Sequence, residues 1–396
     1  MISKRYKILF LDNGAGIGGG QRSLLLLLKN LDKTRFTPII GCLPDSALAA
    51  EARKAAQEVV PLNLPEPHEK ADIHHRFTFG DLIGDFKYIA VVIQMLRVIR
   101  ENRVNLIHAN SLAAALIGGA AAKIIGVPII MHKRYATSYG LLDRMGEKLV
   151  DYVILVSRAT RWNFAAKSKQ ALIYNGAELE GLHASTAEVK AVRSGLNLCR
   201  EDLLAGIVTR ITFEKGIHIL IEAMANLKNR RRIKLIIAGK PYFRQDFDYL
   251  ERLKAQIGKL GLADSVIFTG FLTDTRAIMA LLDMVLLPSI VDEACPRVII
   301  EAMAAGKPVI TTPLGGSKEL VTPESGIFVP PEDAKALAAA ITRLADNRQH
   351  SRRMGIAGRA RVEKLYSAEK NTRLTELLYS RLLNPSIPSE QKVSSS

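Results

Sequence analysis

Apolar residues along this chain fall in short blocks rather than in strict alternation. "KILFLD", "PIIGCL", "VVPLNL", "NLIHAN", "PIIMHK", "YVILVS" and "ALIYNG" follow one another, each bounded by polar or turn residues. Longer segments with helical spacing, such as "GQRSLLLLLKN", lie between them. Strands apolar on both sides belong to a parallel sheet covered on both faces, and the intervening helices supply its right-handed crossovers. A polar, helix-prone segment from about Gly181 to Glu201 interrupts the pattern. It then restarts with "AGIVTR", "IKLIIAG", "SVIFTG", "MVLLPS", "PVITTP" and "GIFVP". The expectation is an α/β protein of two doubly wound parallel-sheet domains, residues 1–180 and 181–365, facing across a cleft. "SAEKNTRLTELLYSRLL" predicts an amphipathic helix within 366–385, and residues 386–396 read as a loose tail.

A length of 396 residues agrees with two domains, and 48% hydrophobic against 24% charged residues excludes wholesale disorder. Lysine and arginine outnumber aspartate and glutamate by 55 to 39, a formal charge of +16. Such a surface attracts phosphorylated substrates, anionic lipid or nucleic acid. With 6% aromatic residues, no zinc spacing and no RNA-binding aromatic motif, nucleic acid is excluded as the partner. An anionic membrane surface stays open, with "QMLRVIRENR" as a basic helix that could lie on it. Cys42, Cys199 and Cys295 are far apart, and no secretory signal precedes them, so a reducing cytoplasm is expected. "SLAAALIGGAAAKIIGVPII" is broken by Lys123, Gly126 and Pro128, and reads as a small-residue helix and a buried strand rather than a membrane span.

Three stretches carry candidate chemistry. In "LDNGAGIGGGQRS", Gly14, Gly16 and Gly19 have G-x-G-x-x-G spacing between a strand and a helix. That pattern admits an anion at a helix N-terminus without saying which one. A dehydrogenase would also need an acidic residue for the ribose, for which Asp45 is available. In "PSIVDEACPRVIIEAMAAGKPVI" a helix is expected from about Pro296 to Ala305, ended by Gly306. Glu293 would stand in the loop before it and Glu301 in its second turn, with N–H groups between them for a phosphate. In "GIVTRITFEKGIH", Arg210 follows a strand and Lys215 precedes a helix, placing two cations where a diphosphate leaving group could develop charge. The plain alternatives are a helix-surface glutamate, a loop charge and two solvated bases.

Together these stretches resemble the nucleotide-sugar glycosyltransferases of GT-B architecture, the large retaining group with an E-x7-E motif (glycosyl transferases group 1, family 4). Glu293 to Glu301 match that motif, and "TRITFEKG" matches the family's Arg…Lys-Gly motif. Fainter echoes are the glycine loop, "NLIHANS" with His108, "IIMHK" with His132, "VILVSRA" with Ser157, "LIYNGAE" with Asn175 and Gly176, and "PLGGSKEL" with Glu319. The resemblance implies two Rossmann-like domains, with the acceptor on the N-terminal one and a nucleoside-diphosphate sugar, UDP rather than GDP, on the C-terminal one. It implies that Arg210 and Lys215 contact the diphosphate, Glu293 the transferred sugar and Glu301 the ribose. It further implies His132 near the reacting sugar, Gly16, Gly18 and Gly19 at the donor, and Cys295, Pro296, Arg297 and Val298 lining its site. No resident cofactor and no metal are expected, because fixed cations take the metal's place. The final helix would cross back to the first domain.

The chain departs from the family pattern at Lys240 and Tyr242 in "IIAGKPYFRQ", where small residues are common, and at Arg297, often apolar in relatives. His74 and His75 in "HEKADIHHRFTFGDL" read as part of a basic loop, with an acceptor loop as the alternative. The expected activity is hexosyl or N-acetylhexosaminyl transfer to a lipid-linked, lipopolysaccharide or cell-surface saccharide acceptor. That activity would lie in the cytoplasm or peripherally on the inner membrane face. Two other readings share the architecture: a sugar-nucleotide epimerase, and a non-catalytic lipid- or polysaccharide-binding protein. An NAD enzyme ranks last, since it would need neither the glutamate pair nor the two cations.

Overall fold

Every strand pair among the described residues is parallel, which forces each strand to deliver its carboxyl end to the same edge of its sheet. The computed structural model describes residues 5–55, 57–62, 86–161, 169–179, 184–227 and 232–384; His74, His75 and the tail lie outside them. The chain divides into two compact units, residues 1–176 with 368–396, and residues 177–367.

In the first unit β1 (Tyr6–Leu11), α1 (Gly19–Asn30), β2 (Phe36–Cys42), α2 (Ala47–Lys54) and β3 (Glu58–Pro61) come first. They are followed by α3 (Phe86–Glu101), β4 (Leu106–Ala109), α4 (Leu112–Ile125), β5 (Ile129–Lys133), α5 (Leu141–Leu149), β6 (Tyr152–Leu155) and β7 (Gln170–Leu172). The strand order β3-β2-β1-β4-β5-β6-β7 reverses direction between β1 and β4. Helix α4 is the small-residue stretch: the Ser111 hydroxyl caps it by accepting from the Ala114 N–H, and Gly126 closes it in the left-handed region.

The second unit begins with α6 (Thr186–Gly195) in the polar segment, then β8 (Leu203–Val208), α7 (Ile217–Ala225), β9 (Ile233–Ala238), α8 (Arg244–Lys259), β10 (Val266–Gly270) and α9 (Arg276–Leu281). Then come β11 (Met284–Leu287), α10 (Arg297–Ala304), β12 (Val309–Thr311), α11 (Ser317–Leu320), β13 (Gly326–Phe328), α12 (Ala334–Asp346) and α13 (Arg348–Leu365). Its order, β10-β9-β8-β11-β12-β13, reverses between β8 and β11. Helix α10 is one residue shorter at each end than expected: Pro296 is its extended cap and Ala305 its last half-turn. Among the described residues no helix is long and apolar enough to cross a membrane.

The last helix, α14 (Ala368–Leu383), belongs to the first unit. Its Leu378 and Tyr379 are fully buried in one cluster with Ile8 and Phe10 of β1 and Leu24 and Leu28 of α1. The Tyr379 ring meets Phe36 edge-on at 5.6 Å and Phe10 at 6.5 Å. Polar ties flank this apolar seam: the Asp32 N–H donates to Glu376 (2.7 Å), Arg35 to the Ser380 hydroxyl (2.7 Å), and the Asn371 amide to the Tyr174 carbonyl (2.7 Å). Truncating Leu378 to alanine leaves a cavity at the centre of this seam. The expected loss is about 2–5 kcal/mol of unfolding free energy, read from the urea midpoint; a loss within experimental error would show that α14 is an accessory rather than part of the core.

Candidate active site

The reversal point of a doubly wound sheet opens a crevice at the carboxyl ends of the two strands that flank it. In the second unit those strands are β8 and β11, and the expected cations and carboxylates follow them. Arg210 lies just past β8, exposed, its guanidinium carbon 5.6 Å from the centroid of Phe243. Lys215 ends a short 3-10 turn, and Gly216 then takes a left-handed conformation to start α7. A side chain at Gly216 would collide with the Pro288 carbonyl at 2.2 Å, so only glycine lets this loop press against the one after β11.

The Lys215 ammonium and the Ser289 hydroxyl both donate to Oε1 of Glu293, at 2.5 Å each. The side chains of Lys215 and Glu293 are only 20% and 13% exposed. The backbone of Glu293 is gripped as well: its carbonyl accepts the Gly316 N–H at 2.6 Å, while the Gly315 N–H donates to Asp292 (2.7 Å). Gly315 is left-handed, and a Cβ there would stand 2.2 Å from the Glu293 carbonyl oxygen. Burial alone would raise the Glu293 pKa; Lys215, by charge and hydrogen bond, Ser289 and Arg210 outweigh it, and the carboxyl sits below its ordinary value. Glu301 stands inside α10, paired with Arg297 one turn earlier at 2.9 Å. Cys295, Pro296 and Val298 are buried, so they can offer a ligand a wall and backbone groups rather than polar side chains.

The first unit builds a second constellation at its own reversal point, between β1 and β4. Gly16, Gly18 and Gly19 occupy the loop and the first turn of α1, all with φ in the ordinary negative range. The glycine the loop requires is instead Gly14, whose missing Cβ makes room for the Gln21 amide at 2.5 Å. Gln21 donates to both oxygens of Asp12 (2.9 and 3.1 Å) and accepts from the Gly18 N–H (3.0 Å). The Gly14 N–H (2.8 Å) and the Asn110 amide (2.6 Å) also donate to Asp12.

From Asn110 the network runs to Arg134, just past β5. Its guanidinium donates to Asn110 Oδ1 (2.6 Å), to Asn175 Oδ1 (2.8 Å) and to Nδ1 of His132 (3.1 Å). His132 is 6% exposed and also meets Nε2 of His108 at 3.2 Å. Burial, then Arg134, then His108 hold the His132 pKa well below its ordinary value, and burial with Arg134 pushes His108 down to about 3; both rings are neutral. Nε2 of His132 is buried and has no hydrogen-bond partner among the described residues. His132, Arg134 and Asn175 line a pocket of about 30 Å³ together with Ser23 and Asn371. Lys133, pointing the other way from β5, pairs with Asp143 (3.8 Å) and Glu147 (3.6 Å) and pins the strand end from its opposite face.

Of the expected residues, the structure thus gathers Arg210, Lys215 and Glu293 in the second unit, with Glu301 on the helix that follows. It places His132 and the glycine loop in the first. Sequence reasoning missed Asp12, Asn110 and Arg134 as a connected set. Each stands at or just past a strand's carboxyl end, which was the signal available for finding them.

Family comparisons follow the same division. The description "Glycosyltransferase Family 4" matches residues 17–180, and "Glycosyl transferases group 1" matches residues 190–361. The chain belongs to this glycosyltransferase family. It is 35% identical over 184 residues to the uncharacterized glycosyltransferase MJ1607 of Methanocaldococcus jannaschii, covering 45% of each chain. It is 29% identical over 198 residues to the lipopolysaccharide core biosynthesis mannosyltransferase LpsB of Rhizobium meliloti, covering 48% of this chain and 55% of that one. In these matches the chain spans about half the length of the curated relatives. Among solved structures, Anabaena Alr3699/HepE in complex with UDP and glucose is similar over 95% of this chain and 100% of that one, with TM-score 0.80 and 25% identity. The two parallel-sheet units are those of the GT-B glycosyltransferases.

A depressed carboxyl contributes stability above the ordinary glutamate range and loses it as pH falls through the folded-state pKa. In Lys215→Met, burial of Glu293 is no longer offset by its nearest cation. Titrating the protein with carboxyl-labelled glutamate should place Glu293 below the ordinary value in the wild type and raise it in the variant; an unmoved Glu293 resonance would contradict the assigned pair.

Proposed function

We propose that this chain is a retaining, metal-independent glycosyltransferase that moves a hexose or N-acetylhexosamine from a nucleoside-diphosphate sugar, UDP in preference to GDP, to a lipid-linked or cell-surface saccharide acceptor. The observation that carries the proposal is the Lys215–Glu293 pair, with Arg210 beside it, at the reversal point of the second sheet. Likeness to a solved relative holding UDP and glucose supports the uridine donor, and likeness to a lipopolysaccharide core mannosyltransferase supports the envelope saccharide.

In this reading Arg210 and Lys215 neutralise the diphosphate as the sugar–oxygen bond breaks, Glu293 accepts hydrogen bonds from the sugar hydroxyls and Glu301 from the ribose. Fixed cations supply the charge that a divalent ion would otherwise bring. The transition state is oxocarbenium-like, so the acceptor hydroxyl needs only placement on the face the diphosphate leaves, its proton passing to the departing phosphate oxygen. The configuration at the anomeric carbon is then kept without a protein nucleophile. His132, with an Nε2 unclaimed among the described residues, donates to a hydroxyl of the reacting sugar.

Thermal unfolding with UDP, GDP, ADP and NAD at equal millimolar concentration tests the donor, since a ligand at about 100 times its Kd adds roughly 2.7 kcal/mol. UDP should give the largest shift, and Glu301→Ala should remove most of it. Lys215→Ala should lower kcat by roughly 100- to 1,000-fold, and EDTA should leave wild-type turnover intact. A shift with NAD alone would overturn the transferase reading, donor conversion without acceptor would indicate an epimerase, and UDP-sugar binding with neither transfer nor hydrolysis would indicate a binder.

Membrane association is proposed at the cytoplasmic face through α3. This helix exposes Ile89 (60%) and Ile93 (59%) on the side where Arg97 and Arg100 are also exposed. Vesicles containing anionic lipid should sediment with the wild type and release an Ile93→Glu, Arg97→Glu variant. Equal sedimentation of both proteins would remove α3 from the proposal.

A further inference from the structure

The hydrogen bonds around His132 have a direction that the chemistry of one neighbour fixes. A guanidinium has only N–H donors, so the contact from Arg134 obliges Nδ1 of His132 to accept. Nε2 of His108 meets that same Nδ1 at 3.2 Å, and two acceptors cannot share a hydrogen bond, so His108 carries its proton on Nε2 and donates. Nδ1 of His108 is then bare and accepts from the phenol of Tyr379, 2.5 Å away. All three groups are buried: Tyr379 and His108 are fully enclosed, and His132 nearly so. The direction therefore runs one way, from the phenol on α14 through His108 to His132, and leaves the His132 proton on Nε2.

We infer that Tyr379 is a positioning residue: through His108 it supplies the second donor that centres the His132 imidazole, whose Nε2–H tautomer Arg134 sets, so that α14 contributes a buried phenol as well as the Asn371 pocket wall to the candidate site. A tyrosine at that place is more than an aromatic filler, because phenylalanine would pack against Phe10 and Phe36 equally well. Without the phenolic proton the buried Nδ1 of His108 loses its donor, and only the bond to His132 still favours the proton on Nε2. The other tautomer sets its bare Nε2 against the bare Nδ1 of His132, and the ring is pushed off its position. Arg134 alone still prefers the bare Nδ1 but no longer has a second donor to centre it.

The proposed transferase activity enters only the kinetic part of the test. In the full-length protein with isotope-labelled histidine, a two-bond proton–nitrogen correlation reports each ring's tautomer, with His108→Gln and His132→Gln assigning the signals. The wild type should show both rings neutral, with protonated Nε2 and bare Nδ1. Tyr379→Phe should unfold cooperatively, spread His108 over both tautomers, and lower kcat about tenfold with little change in donor KM.

A wild-type His108 protonated on Nδ1 would overturn the inference, as would a Tyr379→Phe protein with unchanged imidazole signals or unchanged kcat. Should Tyr379→Phe fail to fold, His108→Gln and His108→Asn decide. The glutamine amide replaces the Nε2 donor toward His132, whereas the asparagine amide stands at the Nδ1 position. Both variants should keep the bare Nδ1 of His132 that Arg134 requires, but His108→Gln should leave the His132 ring signals in place and His108→Asn should shift them; equal spectra would refute the relay. The expected spectra in a protein that transfers no sugar would support the relay and overturn the proposed function.

Discussion

The ion pair between Lys215 and Glu293 joins two loops that the chain separates by almost eighty residues, and it does so at the point where the second sheet reverses its strand order. Both partners are mostly shielded from water, so either one alone would be a poorly solvated charge without a counterion. The surrounding architecture serves this pairing: Gly216 lets the β8 loop press on Pro288, Gly315 lets the β12 loop press on Glu293, and Ser289 fills the remaining approach to the same carboxylate oxygen. Three consecutive strand ends are thereby locked into one rigid rim. The carboxylate is held charged and fixed before any ligand arrives, which is what preorganised charge stabilisation requires.

The first unit reaches a comparable rigidity by different means. Its centre is a single guanidinium that satisfies two amides and an imidazole at once, while Asp12 gathers Gly14, Gln21 and Asn110 beneath it. Arg134 also settles the orientation of both amides, since only their oxygens can face a donor. Of the loop glycines, Gly14 is explained by this packing, and Gly14, Gly16, Gly18 and Gly19 are not explained by left-handed backbone. The first glycine of the G-x-G-x-x-G spacing therefore serves a polar cluster around Gln21 and Asp12.

Strand positions were largely legible, because fully buried parallel strands advertise themselves as apolar blocks and each block observed carries a strand. The carboxyl-edge rule made Arg210, Lys215 and Glu293 legible as candidates, and the family resemblance added His132. The Arg134 network was harder to see: its members come from four strand ends, and only the tertiary pairing of β1, β4, β5 and β7 in one sheet brings those ends together. Pro296 was placed one position too far into its helix, since a first-turn proline and a capping proline look alike in sequence. The amphipathic pattern of α14 was legible, but nothing in that pattern singled out Tyr379 as a hydrogen-bond donor rather than another apolar contact.

The assignment of α14 to the first unit also governs the order in which this protein can mature. Gly176 leaves the ribosome roughly 10–40 s before Ala368 does, at about 5–20 residues per second. During that interval the first sheet has its strands but lacks the helix that covers Ile8, Phe10 and Phe36 and supplies the phenol beneath His108. The second unit, continuous in sequence, has emerged in full by the end of that interval, just ahead of α14. Synthesis therefore interposes the whole of the second unit between the first sheet and the helix that completes it, and the histidine chain is assembled only after Tyr379 has emerged.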